Sequence, residues 1–219
     1  MPRIVFAKVG EAVWISHLDL MRLFQRAFKR AGMELTHTQG YNPRPSVSIA
    51  LPLSVGVESV CELLDFDLEG EKVSCQQIVS GLNQVLTKGI QVLDCYEAGR
   101  KIRDLALLRC VLNLEYDAGV PSDATSALET LFASDSLVVQ KKGKNGLVDQ
   151  DIIPMIRNLS VKTVGEKELQ IEALICCQNP SLNPMQLVAA IEYYCPRLKP
   201  DHATCRREEI YDVNETVFR

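Results

Sequence analysis

The chain is poor in the residue patterns that name a chemistry. It holds three histidines and one tryptophan in 219 residues, and only 6% of it is aromatic. No Cys-x-x-Cys pair occurs among its eight cysteines, which disfavours a zinc ribbon or a thioredoxin-type motif. The tight thiolate spacing of an iron–sulfur cluster is missing too. There is no Walker loop, no G-x-G-x-x-G and no G-x-S-x-G. No stretch approaches the roughly 18 to 20 apolar residues of a membrane helix, and Met1 to Lys8 lacks the apolar run of an export signal. These absences lead us to expect a soluble cytoplasmic protein with no cofactor, no metal and no membrane contact.

What is present is ordinary in amount and uneven in distribution. Apolar residues make up 47% and charged residues 24%, as in soluble globular chains. The length suits one large domain or two of about 100 residues. The net charge of −4 hides an asymmetry. Residues 1–50 carry seven Lys/Arg against three acids, a net of +4, and the remainder carries seventeen against twenty-five, a net of −8. A basic first quarter on an acidic body points to one surface that meets an anion or an acidic partner. A pI of about 5.5 argues against a general nucleic-acid coat. Several cysteines sit in apolar runs, such as Arg109-Cys110-Val111-Leu112 and Leu174-Ile175-Cys176-Cys177, and read as free thiols acting as small apolar side chains. Cys176, Cys177, Cys195, His202 and Cys205 form only a weak metal pattern, because adjacent strand residues point to opposite faces.

Periodicity gives an element order. Arg3–Lys8 and Ala12–Ile15 read as strands around a Val9-Gly10-Glu11 turn. Residues 16–31 read as a helix, with Leu20, Phe24, Ala27 and Ala31 at helical spacing and Ser16 to Asp19 as a capping box. Leu35–Gln39 looks like a short strand. Gly40-Tyr41-Asn42-Pro43-Arg44-Pro45 must be a loop, since two prolines and a glycine exclude regular structure. Strands at 47–53 and 60–68, a helix over 75–86 and a strand at 90–96 complete a β-α-β-β-α-β order. After Gly99-Arg100-Lys101 the order repeats, with a polar turn at 141–146. The expectation is an α+β protein of two tandem ferredoxin-like domains, residues 1–100 and 101–219. Each would have an antiparallel sheet with its helices on one face.

Four blocks are distinctive: Ser16-His17-Leu18-Asp19-Leu20-Met21-Arg22, Arg26-Ala27-Phe28-Lys29-Arg30-Ala31, Gly40-Tyr41-Asn42-Pro43-Arg44-Pro45 and Leu51-Pro52-Leu53-Ser54-Val55-Gly56-Val57-Glu58-Ser59. Together they resemble the radical-SAM-linked family of unknown function, DUF2344. Its members read S-H-L-D-L-M-R, R-A-x-R-R-A, G-F-N-P-H-P and P-L-P-V-G-x-x-S in that order. The likeness is dense over residues 3–68 and looser after, with Lys141-Lys142 to Val148-Asp149 resembling a later stretch. It implies a partner: a radical-SAM protein, encoded nearby or fused in relatives. The chain itself lacks the cysteine cluster of such an enzyme. Arg44 stands where members often carry a second His, so a two-histidine mechanism does not transfer.

The candidate ligand- or RNA-binding residues are Lys8, His17, Arg22, Arg26, Lys29, Arg30, Tyr41, Asn42 and Arg44. The arginines recur three and four apart on α-helical spacing, so they share one side of the helix, and guanidinium forks bind phosphate bidentately. Tyr41 suits base stacking. Capping alone accounts for Ser16 and Asp19, a solvated outer face for the basic row, and a proline-fixed crossover for the loop. Three functions are open: an accessory module holding RNA or a nucleotide-like anion for a radical-SAM partner; a metal-independent ribonuclease using His17, with Asp19; or a protein-interaction adaptor. The first, non-catalytic, is preferred, and it requires the loop to approach His17 and Arg22.

Overall fold

A computed structural model describes every residue except Glu71, Lys144 and Asn145. It is a mixed α/β structure whose described strand pairs are antiparallel. The chain divides into two compact units, Met1–Ile102 with Arg219, and Arg103–Phe218.

In the first unit, β1 (Pro2–Lys8) leads through a 3-10 turn (Gly10–Trp14) into α1 (His17–Arg30), followed by β2 (Val47–Ile49), β3 (Val57–Phe66), α2 (Cys75–Val85) and β4 (Ile90–Glu97). The strands lie in the order β4-β1-β3, with β2 on the outer side of β3. Apolar side chains from both helices join one face of this sheet. Leu20, Phe24, Ala27 and Phe28 of α1 and Ile78 and Leu82 of α2 share a core with Ile4, Phe6, Leu64, Phe66, Ile90 and Val92. Phe6 meets Phe24 edge-on at 4.7 Å between ring centroids, a favoured aromatic arrangement.

Polar groups are also buried in this sheet. Arg3 is 1% exposed, directly opposite Asp65 on β3. Its Nε and Nη2 donate to the two Asp65 carboxylate oxygens at 2.5 and 3.0 Å, and Nη2 also reaches the Arg100 carbonyl at 3.2 Å. Lys8, Ser59 and Glu62 are fully buried.

The second unit runs β5 (Leu107–Glu115), α3 (Ala124–Phe132), β6 (Val138–Gly143), β7 (Gly146–Asp151), β8 (Ile156–Thr163), β9 (Glu168–Cys176), α4 (Met185–Tyr194) and β10 (His202–Tyr211). Its strand order is β10-β5-β9-β8, and β6 and β7 form a separate hairpin. The expected turn at 141–146 joins that hairpin; two of its residues, Lys144 and Asn145, lie outside the described residues. Pro154 interrupts the strand pattern inside a short 3-10 turn before β8, as a missing backbone donor requires.

Two expected strands are not strands. Ala12–Ile15 falls in the 3-10 turn after β1. Gly10 takes φ +59, where L side chains are disfavoured, and the turn folds onto Gly89, whose carbonyl accepts from Val9 at 2.8 Å. Leu35–Gln39 makes only isolated bridges, Leu35 to Leu68 and His37 to Pro45.

Two substitutions test this packing. A Cβ at Gly89 would lie 2.4 Å from the Val9 carbonyl oxygen, at φ +85, so Gly89→Ala should cost about 1–3 kcal/mol in urea unfolding. Arg3→Ala strands the Asp65 carboxylate and should cost about 3–5 kcal/mol, whereas the paired change Arg3→Met/Asp65→Leu should recover much of the loss.

Candidate nucleic-acid interface

Helix α1 begins as its sequence demands. Ser16 is extended, and its hydroxyl accepts from the Asp19 amide at 3.2 Å. The same hydroxyl donates to Asp19 Oδ2 at 2.8 Å, and Arg22 Nη1 donates to Asp19 Oδ1 at 3.0 Å. The Ser16 hydroxyl and then the Arg22 guanidinium hold the Asp19 carboxyl below its ordinary range. Asp19 is therefore a capping and pairing residue. His17 is half-buried, and its Nδ1 is shielded from solvent and meets no protein donor or acceptor among the described residues.

The basic residues have separate fates. Lys8 is a correction to the expected site: it is fully buried, with Nζ donating to the Val13 carbonyl at 3.0 Å, because β1 lies between two strands and both its faces are covered. Arg22 has a carboxylate partner on its own helix. Arg30 Nη2 donates at 2.6 Å to the carbonyl of Val85, the last residue of α2, which satisfies a helix-end acceptor. Arg26 and Lys29 are exposed and bond no carboxylate among the described residues.

The proline loop is held at its neck and open at its tip. Thr36, Ser46 and Asp67 exchange backbone hydrogen bonds at 2.8 to 3.2 Å, and Thr38 N donates to the Arg44 carbonyl at 2.8 Å while Arg44 N donates to Thr38 Oγ1 at 3.0 Å. Beyond this brace Tyr41 is 100% exposed, and Asn42 and Arg44 are exposed beside it.

Strand directions locate the loop. Helix α1 starts at the carboxyl end of β1, so His17 sits at that end, while Arg30 reaches the last residue of α2, which ends shortly before β4 pairs its first residue, Ile90, with Lys8. Loop 37–45 follows the end of α1 and precedes β2, whose first residue, Val47, pairs with Phe66 beside Asp65, the partner of Arg3. The loop thus lies at the sheet end where β1 begins. His17 lies at the opposite end of this seven-residue strand, so the loop and His17 do not share one end of the sheet.

The fourth sequence block meets the turn that precedes α1. Gly56 N donates to the Val13 carbonyl at 2.9 Å, and Glu58 Oε1 accepts from Gly10 N at 2.9 Å. Gly56 lies against the Trp14 ring, where a Cβ would be 3.6 Å from a ring carbon. Around this junction Trp14, Leu18 and Val55 are 72%, 66% and 52% exposed. Sequence reasoning missed this apolar tip. The available signal was that Leu18 falls off the buried stripe of α1.

Among the described residues no helix is long and apolar enough to cross a membrane, and no group of three or more His, Cys, Asp or Glu is placed to hold a metal ion.

Comparison with known proteins gives one family. Residues 2–184 match the family described as an uncharacterized protein conserved in bacteria, DUF2344. No curated protein matches. Among solved structures, a chain of a Cbf5-Nop10-Gar1 complex is similar at 10% identity and a TM-score of 0.49, over 95% of this chain and 48% of that one. A chain of an H/ACA RNP bound to a substrate RNA gives 9% identity and 0.48, over 94% and 46%. The chain thus spans about half the length of these. A protein of unknown role from Galdieria sulphuraria gives 12% identity and 0.26, over 94% and 96%.

The geometry at the start of α1 yields a stability prediction. Ser16→Ala removes the cap and one partner of Asp19, and should lower unfolding free energy by about 0.5–2 kcal/mol, read from the urea midpoint of Trp14 fluorescence.

Proposed function

The chain belongs to the DUF2344 family, and from that premise we propose that it is a non-catalytic accessory module that holds RNA or a nucleotide-like polyanion for a partner radical-SAM protein. In this reading both units are ferredoxin-like. The strand orders β4-β1-β3-β2 and β10-β5-β9-β8 support it, since each places the first strand of a β-α-β-β-α-β unit between its fourth and third; the hairpin β6–β7 is an insertion.

The observation that carries the binding reading is the loop: a wholly exposed Tyr41 with exposed Asn42 and Arg44 on a braced neck. An aromatic ring in water near a guanidinium suits a stacked base and its phosphate. The binding set is therefore Arg26, Lys29, Tyr41, Asn42 and Arg44. Arg22 is an outlying cation muted by Asp19, and Arg30 is occupied by α2. His17-dependent cleavage is the weaker reading, because the histidine lies away from this set and Asp19 is already paired. An adaptor role has one specific observation in its favour, the exposed Trp14, Leu18 and Val55 at the opposite end.

Fluorescence anisotropy with a labelled single-stranded RNA tests the proposal. Binding should weaken with salt, with a logarithmic slope of about −2 for three phosphate contacts. Tyr41→Ala should weaken it about tenfold, and Arg26→Ala/Lys29→Ala should reduce the slope. Asp19→Asn, which releases Arg22, should leave binding unchanged or tighten it. Equal affinity of the wild type, Tyr41→Ala and Arg26→Ala/Lys29→Ala would sink the polyanion reading and leave the adaptor.

A further inference from the structure

The first unit holds two thiols on one cavity that the binding reading does not use. Cys75 is the first residue of α2, after a complete capping box: Ser74 accepts from Gln77 N at 3.3 Å, and the Gln77 side chain accepts from Ser74 N at 3.1 Å. The cap fixes where the Cys75 side chain enters the helix. Across from it, β4 carries Cys95. Pairing along β1 jumps from Val5↔Asp94 to Phe6↔Val92, so Leu93 is an extra, bulged residue. The bulge turns Cys95 inward, opposite the fully buried Ile4, on the face that α2 covers. Without that bulge, Asp94 would point into the core and Cys95 out of it.

Cys75 packs against the core cluster that contains Cys95. Both line one open surface cavity of about 300 Å³, with Gln76, Val79, Ser80 and Asp94. Cys75 is half-buried, whereas Cys95 lies behind it and is 7% exposed. Access therefore ranks the two: a small reagent entering the cavity meets Cys75, and Cys95 waits within reach.

We propose that Cys75 and Cys95 form a reversible disulfide on exposure to a peroxide, with Cys75 as the attacked-first thiol and Cys95 as the resolving one. The Cys75 sulfur, as thiolate, attacks hydrogen peroxide. An S–O bond forms, the O–O bond breaks, and the leaving hydroxide takes a proton to become water. Cys75 is then a sulfenic acid, oxidised by two electrons. The Cys95 sulfur attacks it, the S–S bond forms, the S–O bond breaks, and the Cys95 proton leaves with the hydroxyl as a second water. Two thiols and one peroxide give one disulfide and two waters. Burial, then Cys75, Asp94 and Glu97, push the Cys95 thiol up, so it remains protonated until resolution and supplies that proton. Closure asks that two sulfurs lining the same cavity approach to about 2.05 Å. The product would staple the first turn of α2 to β4. A dithiol reductant reverses it by exchange.

The test uses the full-length chain, reduced, desalted and treated with one equivalent of hydrogen peroxide, followed by intact mass and peptide mapping. The expected result is a loss of two hydrogens, a linked pair of peptides containing Cys75 and Cys95, and recovery with dithiothreitol. In Cys95→Ser, dimedone should label Cys75; in Cys75→Ser, Cys95 should stay reduced at the same dose. Oxidation that maps to any other cysteine, or a wild-type chain with Cys75 and Cys95 both still reduced, overturns the proposal. The mapping of the wild type needs no variant to fold, and its outcome is independent of RNA binding.

Discussion

The first unit depends on the position of β1. This strand pairs with β3 on one side and β4 on the other, so its backbone has no free edge, and six of its seven residues are buried. A strand in that position cannot carry an unpaired charge. Arg3 is accordingly matched to Asp65 across the ladder, and Lys8 is drawn to the Val13 carbonyl in the turn that follows. That second contact matters beyond stability. It ties the end of β1 to the turn whose other contacts, Val9 on Gly89 and Gly56 on Val13, set where α1 starts.

Once the start of α1 is fixed, an antiparallel sheet sorts the chain into two ends. The chain must run back along the sheet from the start of α1 to the start of β2. The block at 51–59 meets the turn before α1 at the carboxyl end of β1, where Trp14, Leu18 and Val55 are exposed along with Asp19 and Arg22. The block at 40–45 lies at the opposite end, where Tyr41, Asn42 and Arg44 are exposed.

Much of this was legible in the sequence. The helical spacing of Leu20, Phe24 and Ala27, the Ser16 cap and the two prolines around Arg44 each report a local rule, and each local rule held. Residues 12–15 were misread because Val13, Trp14 and Ile15 have the composition of a strand, while Gly10 at positive φ and the contact of Val9 with Gly89 lead into a 3-10 segment. Lys8 was taken for a surface cation because charge is visible in a sequence and burial is not. The binding reading required the loop to approach His17, which the sequence alone could not show, because spacing along the chain does not state which end of a sheet a distant segment returns to. The pairing of Cys75 with Cys95 was hidden for a similar reason: Leu93 shifts the alternation of β4 by one, and a bulge leaves no mark on composition.

The basic row of α1 is where stability and binding are easily confused. Cations in the last turn of a helix favourably oppose its dipole, and Lys29 and Arg30 are in that turn. Arg30 goes further by capping α2, and Arg22 stabilises α1 through Asp19. Each of these three has a structural role that would place a cation there whatever the protein binds. Arg26 has no bonded partner of that kind: it is mid-helix and exposed, bonds no carboxylate among the described residues, and acts on Asp19 only through its charge. Tyr41 has no structural role, since a fully solvated ring contributes nothing to folding and leaves its apolar faces in water. The polyanion reading therefore rests on the two residues that folding does not explain, with Arg44 beside one of them, and the number of basic residues in the row carries no further weight.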